Sequence, residues 1–143
     1  MNIESYEIPA EDRGAFVKVM AFLAAADGEV SLEEKQALDN LIFRWQLDTQ
    51  EVEDVYSVMN GGGKLDKILS QLVNIKTAFL LIQELVTLAS LDGNYSDLEK
   101  KAVREIANQL NVSDKRLGDI EQWVEEGMTW RQKGLELLKA EEV

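Results

Sequence analysis

The chain has 143 residues, which suits a single domain, and 45% of them are hydrophobic, as in an ordinary globular protein. Its formal net charge of −12 disfavours binding to nucleic acid or to an anionic membrane surface, because both depend on lysine and arginine. It contains neither cysteine nor histidine, which excludes disulfides, thiol or imidazole catalysis and the common zinc sites. Such a chain suits a basic partner or a hard cation held by oxygen ligands.

The N-terminus lacks the basic start and apolar core of a signal peptide. The most hydrophobic run, residues 78–91, is interrupted by Gln83, Glu84 and Thr87 and is shorter than the roughly 20 residues that cross a bilayer. We therefore expect a buried helix here and no membrane span.

Apolar residues at helical spacing predict a first helix over residues 9–26. Asp27 and Gly28 are predicted to end this helix, since glycine readily takes the left-handed conformation found after a helix. Ser31 and Glu34 then have the spacing of a capping box, which predicts the start of a second helix.

A third helix is predicted to begin at Asp48 or Thr49 and to end at a glycine-rich joint, residues 60–63. The joint precedes a lysine, as a phosphate-binding loop does. However, the glycine and the hydroxyl residue that such a loop requires are replaced by Val58 and Leu65. We therefore interpret the glycines as a flexible connection.

The second half of the chain begins with a short amphipathic helix over residues 65–72. The most apolar helix follows over residues 75–91, and we expect it at the centre of the fold. Asp92 is predicted to end it together with the glycine that follows. Ser96 and Glu99 form a second capping box at the start of the next helix.

A last helix is predicted to begin at Ser113 or Asp114. Its tryptophans, Trp123 and Trp130, are expected in the core or at its margin. The apolar end around Trp130 and Leu138 is also a candidate surface for a partner helix.

The two halves of the chain repeat one another at an offset of 65 residues. Residues 22–59 and 87–124 align without a gap and share nine identities. This predicts an all-α fold of about seven helices, a single compact domain built from two helical hairpins related by an approximate two-fold axis. The predicted parts are repeat 1 over about 11–60, the glycine-rich joint 60–63, repeat 2 over about 74–126 and a C-terminal helical extension over 127–143.

Each repeat has an acidic bend between its two helices, and helix capping alone explains the residue types found there, at about 1 kcal/mol per cap. The bends also match the second half of an EF-hand loop. The first half does not match, because its ligand positions fall on Leu23, Ala25, Leu88 and Ser90, of which only the serine has a side-chain oxygen. A standard EF-hand site is therefore not expected.

A different cation site follows if the two-fold axis brings the bends side by side. Asp27, Glu34, Asp92 and Glu99 would then converge, and their mutual repulsion would favour a divalent cation such as calcium, magnesium or manganese. The sequence shows no substrate-binding element beside these carboxylates, so we do not expect an enzyme.

The bends carry a resemblance to a known family. The pattern ADGxxSxxE beginning at Ala26, and LDGxxSxxE beginning at Leu91, each preceded by an apolar helix, resembles the TerB family of tellurite-resistance-associated helical domains. The resemblance spans roughly residues 11–126. The same type of domain also occurs in some membrane-anchored J-domain co-chaperones.

The resemblance implies an all-α bacterial domain, cytoplasmic or at the inner face of the membrane. It implies no catalytic activity, and a role in resistance to tellurite and other stresses within multi-protein assemblies. It also implies a divalent cation at Asp27, Glu34, Asp92 and Glu99. We therefore predict a cytoplasmic binding module whose partners are other stress-resistance proteins or a basic protein surface. The alternative is a metal-free acidic adaptor, and the sequence leaves the oligomeric state open.

Overall fold

Seven helices lie in the part of the chain that the computed structural model describes, residues 8–26, 28–72, 74–90 and 95–140. These residues contain no strand, so the predicted all-α class and the number of helices are confirmed. The helices are α1 (Ala10–Ala24), α2 (Leu32–Arg44), α3 (Thr49–Met59), α4 (Leu65–Leu69), α5 (Ile75–Ser90), α6 (Asp97–Gln109) and α7 (Asp114–Ala140).

Helices α1 and α5 share the centre of the fold. α1 packs against α2, α3, α4, α5 and α6, and α5 packs against α1, α2, α6 and α7. Val17 and Leu23 of α1 and Leu81 and Leu85 of α5 are fully buried. Burial of each such side chain stabilises the fold by about 1.5–3 kcal/mol. The predicted central position of α5 is therefore shared with α1, its counterpart in the first repeat.

A buried carboxylate joins these two central helices. Asp12 of α1 is fully buried, and one of its oxygens accepts hydrogen bonds from the backbone amide and the side-chain amide of Asn74, at 3.3 and 2.9 Å. Asn74 immediately precedes α5. The carboxylate therefore lies at the positive end of the α5 dipole, where a negative charge is stabilising.

The second helices of the two repeats end in the same conformation. Gln46 after α2 and Asn111 after α6 have positive φ angles of 50° and 61°. The amides of the next residues, Leu47 and Val112, then donate to a carbonyl oxygen in the last turn of α2 and of α6. The N···O distances are 3.2 and 2.8 Å, respectively. This is a Schellman motif, which satisfies carbonyls at the helix end.

The glycine-rich joint after α3 forms a third end of this kind. The amides of Gly61 and Gly62 donate to the carbonyls of Val58 and Ser57, at 3.0 and 2.8 Å. Gly61 has a φ of 92°, a conformation that favours glycine. A Cβ on Gly62 would lie 2.9 Å from the Ser57 carbonyl oxygen. The conformation of the joint is thus set by a hydrogen-bonded helix end.

Helix α7 begins against the domain and continues past it. Its first half buries Leu117 and Val124, whereas Trp130 is 78% exposed. The predicted core or margin position of Trp130 is therefore wrong, and Trp123 is only half buried. The helix is unbroken over its 27 residues, a length of about 40 Å. No helix in the described residues is both long and apolar enough to cross a membrane.

Candidate functional site

Both acidic bends lead into a helix through a complete capping box. The Ser31 hydroxyl accepts from the Glu34 amide at 3.1 Å, and the Glu34 carboxylate accepts from the Ser31 amide at 2.9 Å. Ser96 and Glu99 repeat this pair of bonds at 3.1 and 3.0 Å. The capping boxes predicted from the sequence are confirmed, and each one fixes the orientation of a glutamate side chain.

The two glutamates of the capping boxes meet inside the protein. Glu34 and Glu99 are each only 4% exposed, although they are far apart in the sequence. Burial raises the pKa of Glu34 to about 7, against the lowering effect of its hydrogen bonds to Ser31. The neighbouring Glu99 carboxyl group raises this pKa further.

This arrangement leaves one oxygen without a partner when both groups are ionised. Oε2 of Glu34 is buried and receives no hydrogen bond from any described residue. A carboxylate only accepts hydrogen bonds, so the Glu99 carboxylate offers no donor. The pair is satisfied when Glu34 holds a proton that it shares with Glu99, or when a cation lies against the two groups.

The structure therefore brings together two of the four residues predicted as metal ligands, Glu34 and Glu99. The other two, Asp27 and Asp92, lie outside the described residues. Within the described ranges, no three or more His, Cys, Asp or Glu side chains are grouped so that they could hold a metal ion. The full set of four carboxylates stays a prediction.

A cavity of about 540 Å³ lies beside the second bend, and sequence reasoning missed it. The Tyr95 hydroxyl is buried there close to the Glu121 carboxylate, but without the geometry of a hydrogen bond. Burial, followed by the influence of Glu121, raises the pKa of Tyr95. Lys100 lies over the tyrosine ring at 5.4 Å, and Arg104 lines the same cavity. These residues come from different parts of the chain, so no local sequence motif predicts the cavity.

The start of each helix after a bend also carries an exposed leucine. Leu32 at the beginning of α2 is 67% exposed, and Leu98 in the first turn of α6 is 56% exposed. Each leucine lies close in sequence to acidic side chains. The bends therefore present apolar groups beside negative charge, a combination that suits a basic and partly apolar protein surface.

The family model described as tellurite resistance protein TerB matches residues 13–122. No curated protein and no solved structure matches the chain significantly. The matched range includes most of α1, all of α2 to α6, both capping boxes and the beginning of α7. The exposed second half of α7 lies beyond it.

Proposed function

Because the chain belongs to the TerB family, we propose that it is a non-catalytic binding module of a bacterial tellurite-resistance or related stress-resistance system. In this proposal, the module binds a divalent cation between its two acidic bends. The observation that supports the cation is the buried Glu34–Glu99 pair, in which one carboxylate oxygen has no hydrogen-bond donor among the described residues.

The donor chemistry of this pair fits a hard cation. Two buried carboxyl groups in contact repel one another when both are ionised, and a divalent cation removes that repulsion. Calcium, magnesium and manganese prefer oxygen ligands of this kind. Asp27 and Asp92 would complete the ligand set, an assignment that rests on the repeated sequence motif. The cation would hold the two bends together and so fix the surface presented to a partner protein.

Thermal unfolding tests the cation directly. The protein is stripped of metal and melted with added calcium, magnesium or manganese chloride, and with sodium chloride at the same ionic strength. A single-site ligand at about 100 times its dissociation constant stabilises the folded state by about 2.7 kcal/mol. We expect at least one divalent salt to raise the melting temperature well above the sodium control.

Variants at the carboxylates show where such a cation binds. Glu34→Gln, and the double change Asp27→Asn/Asp92→Asn, should abolish the divalent stabilisation. Asp114→Asn removes an exposed acidic side chain at the start of α7 and should leave the divalent stabilisation unchanged. Equal melting temperatures in all salts would rule out the cation, as would full stabilisation of the Glu34→Gln protein.

The alternative function, a metal-free acidic adaptor, is favoured by exposed Leu32 and Leu98 beside the acidic bends. An adaptor of this kind would bind a basic protein of the same resistance system. Its affinity would fall with salt, because exposed charges are screened within about 8 Å at physiological ionic strength. The double change Leu32→Ser/Leu98→Ser should weaken this binding while leaving any divalent stabilisation unchanged. Unaltered binding by that variant would exclude the bends as the docking surface.

A further inference from the structure

Helix α7 carries an apolar stripe from Trp123 to Leu137 that the described part of the domain leaves largely uncovered. Trp123, Trp130 and Leu137 follow one another at intervals of seven residues, so they lie on one face of the helix. Their side chains are 47%, 78% and 72% exposed. Gly127 and Gly134 lie on the same face, each four residues after a tryptophan.

The glycines have no evident role within the single chain. A Cβ built at Gly127 or Gly134 would meet no atom within 4 Å, and neither residue has a positive φ angle. Glycine is also unfavourable inside a helix compared with alanine. What the two glycines provide is space, a pair of shallow hollows between the large side chains of the stripe.

We propose that the protein forms a dimer in which α7 pairs with the α7 of a second copy in antiparallel orientation. In one register, Trp130 packs over Gly127 of the second copy, and Trp123 packs over its Gly134. The two-fold axis repeats both contacts, so every tryptophan of the stripe meets a glycine. This alternation of knobs and holes is the packing of an antiparallel coiled coil.

The same register pairs opposite charges. Glu126 and Lys133 lie seven residues apart along one flank of the stripe. In the antiparallel pair, Glu126 faces Lys133 of the second copy, and its own Lys133 faces the Glu126 opposite. In a parallel pair this flank would face the opposite flank of the second copy, so these contacts between Glu126 and Lys133 would not form. They are therefore specific to the antiparallel order.

The register also places a leucine opposite an existing hollow. Leu137 of the second copy lies across from Ile120, next to a surface recess of about 250 Å³ lined by Gln83, Asp119, Ile120 and Trp123. An aliphatic side chain fits such a recess at the edge of the α5–α7 contact. The stripe is thus complementary to itself along its whole length.

The buried area is sufficient for a reversible dimer. Aromatic side chains bury about 150–250 Å² each when fully covered, so the exposed tryptophans and leucines of two copies together supply roughly 1,000 Å². This is near the lower limit of about 1,000 Å² for a specific interface. We therefore expect a dimer that dissociates on dilution. The proposal rests on residues 120–137 of α7 and does not depend on the cation.

Sedimentation equilibrium of the full chain over a range of concentrations tests the dimer. The expected mass rises from the 16.1 kDa of the monomer toward twice that value. Gly127→Gln fills a hollow of the stripe and should raise the dissociation constant about tenfold or more, as should Trp130→Ala. Gly118→Gln is the matched control. Gly118 is an exposed glycine of the same helix with equal space around it, but it faces away from the stripe, so the dissociation constant should stay unchanged.

The distance between two spin labels tests whether the two α7 helices are antiparallel. The chain has no cysteine, so Lys139→Cys provides a single position for a spin label. An antiparallel pair in this register offsets the two labels along the helix axes by about 30 Å, whereas a parallel pair leaves them at the same height, so the antiparallel pair gives the longer distance between labels. Glu126→Lys should weaken the dimer, and Glu126→Lys/Lys133→Glu should restore it. A protein that stays monomeric at every concentration overturns the proposal, and so does a dimer that Gly127→Gln and Trp130→Ala leave intact.

Discussion

At the scale of single residues, the Glu34 carboxyl group makes the stability of the fold depend on pH. Its pKa rises from an ordinary value of 4.5 to about 7 in the folded protein, mainly because of burial. The folded state therefore keeps a proton that the unfolded state has lost across this range of pH. A raised pKa in the folded state contributes stability at low pH, and this contribution is lost as the pH rises through the folded value.

We predict that, without metal, the Glu34 contribution to the free energy of unfolding declines between about pH 4.5 and pH 7, where it levels off. After allowance for solvent screening, the expected loss is on the order of 1–3 kcal/mol. Urea denaturation at stepped pH in the presence of a chelator measures it. Glu34→Gln should remove this part of the decline, because an uncharged amide does not titrate. Identical pH profiles for the two proteins would contradict the prediction.

Asp12 is the second residue with a large expected effect. Asp12→Ala removes a buried, charged acceptor and leaves the amides of Asn74 with no replacement from the introduced side chain. Hydrogen bonds to charged groups contribute about 1.5–3 kcal/mol, so we expect a loss of about 2–3 kcal/mol in the free energy of unfolding. Asp48→Ala is a useful comparison, since Asp48 caps α3 at an exposed site and should cost only about 1 kcal/mol. Equal losses of unfolding free energy in the two variants would show that burial of Asp12 adds nothing to its contribution to stability.

At the scale of helices, the ends of α2 and α6 place residues other than glycine in the left-handed conformation. Asparagine tolerates this conformation better than glutamine does, because its short side chain can bond to the local backbone. Gln46 is therefore the more strained of the two, and its counterpart Asn111 the less.

Gln46→Gly should accordingly stabilise the protein by about 0.5–1 kcal/mol, and Asn111→Gly by less. Chemical denaturation of the two variants beside the parent protein gives the comparison. A larger gain at Asn111 than at Gln46 would mean that side-chain contacts, and not backbone strain, decide the effect.

The sequence predicts helix starts better than it predicts contacts between helices. Ser31 and Glu34 are three residues apart, so their capping box depends only on local geometry and is visible in the sequence. The meeting of Glu34 with Glu99 depends on how α2 and α6 are packed. Repetition of the motif suggested that the bends are neighbours, but no local pattern predicted the burial of both carboxyl groups. Asp12 was missed for the same reason, since its partner lies 62 residues away.

At the scale of the whole molecule, the core ends well before the chain does. Every described side chain over residues 131–139 is exposed, whereas the centre of the fold lies between α1 and α5. Gly127 and Gly134 lower the helix propensity of α7, and the helix nevertheless continues through both. Propensity is a weak guide here, because each glycine costs only about 1 kcal/mol in a long helix.

Removal of residues 129–143 should therefore leave the fold intact. We expect the shortened protein to keep the helical circular dichroism of its remaining residues and to melt close to the parent. Leu85→Ala, a change at a fully buried position of α5, should cost about 2–5 kcal/mol. Unfolding of the shortened protein would show that the end of α7 contributes to the core.

The continuity of α7 has a mechanical consequence. An uninterrupted helix transmits rotation and translation along its axis. A molecule that binds the exposed end of α7 therefore also sets the orientation of the domain. Leu117 and Val124 anchor the base of this rod in the hydrophobic core, and Glu121 lies at the same base beside Tyr95. Force or constraint applied near Trp130 would thus act on the cavity that Tyr95 and Glu121 line. The part of the helix beyond Met128, about 18 Å long, then determines how far the domain is held from whatever binds its end.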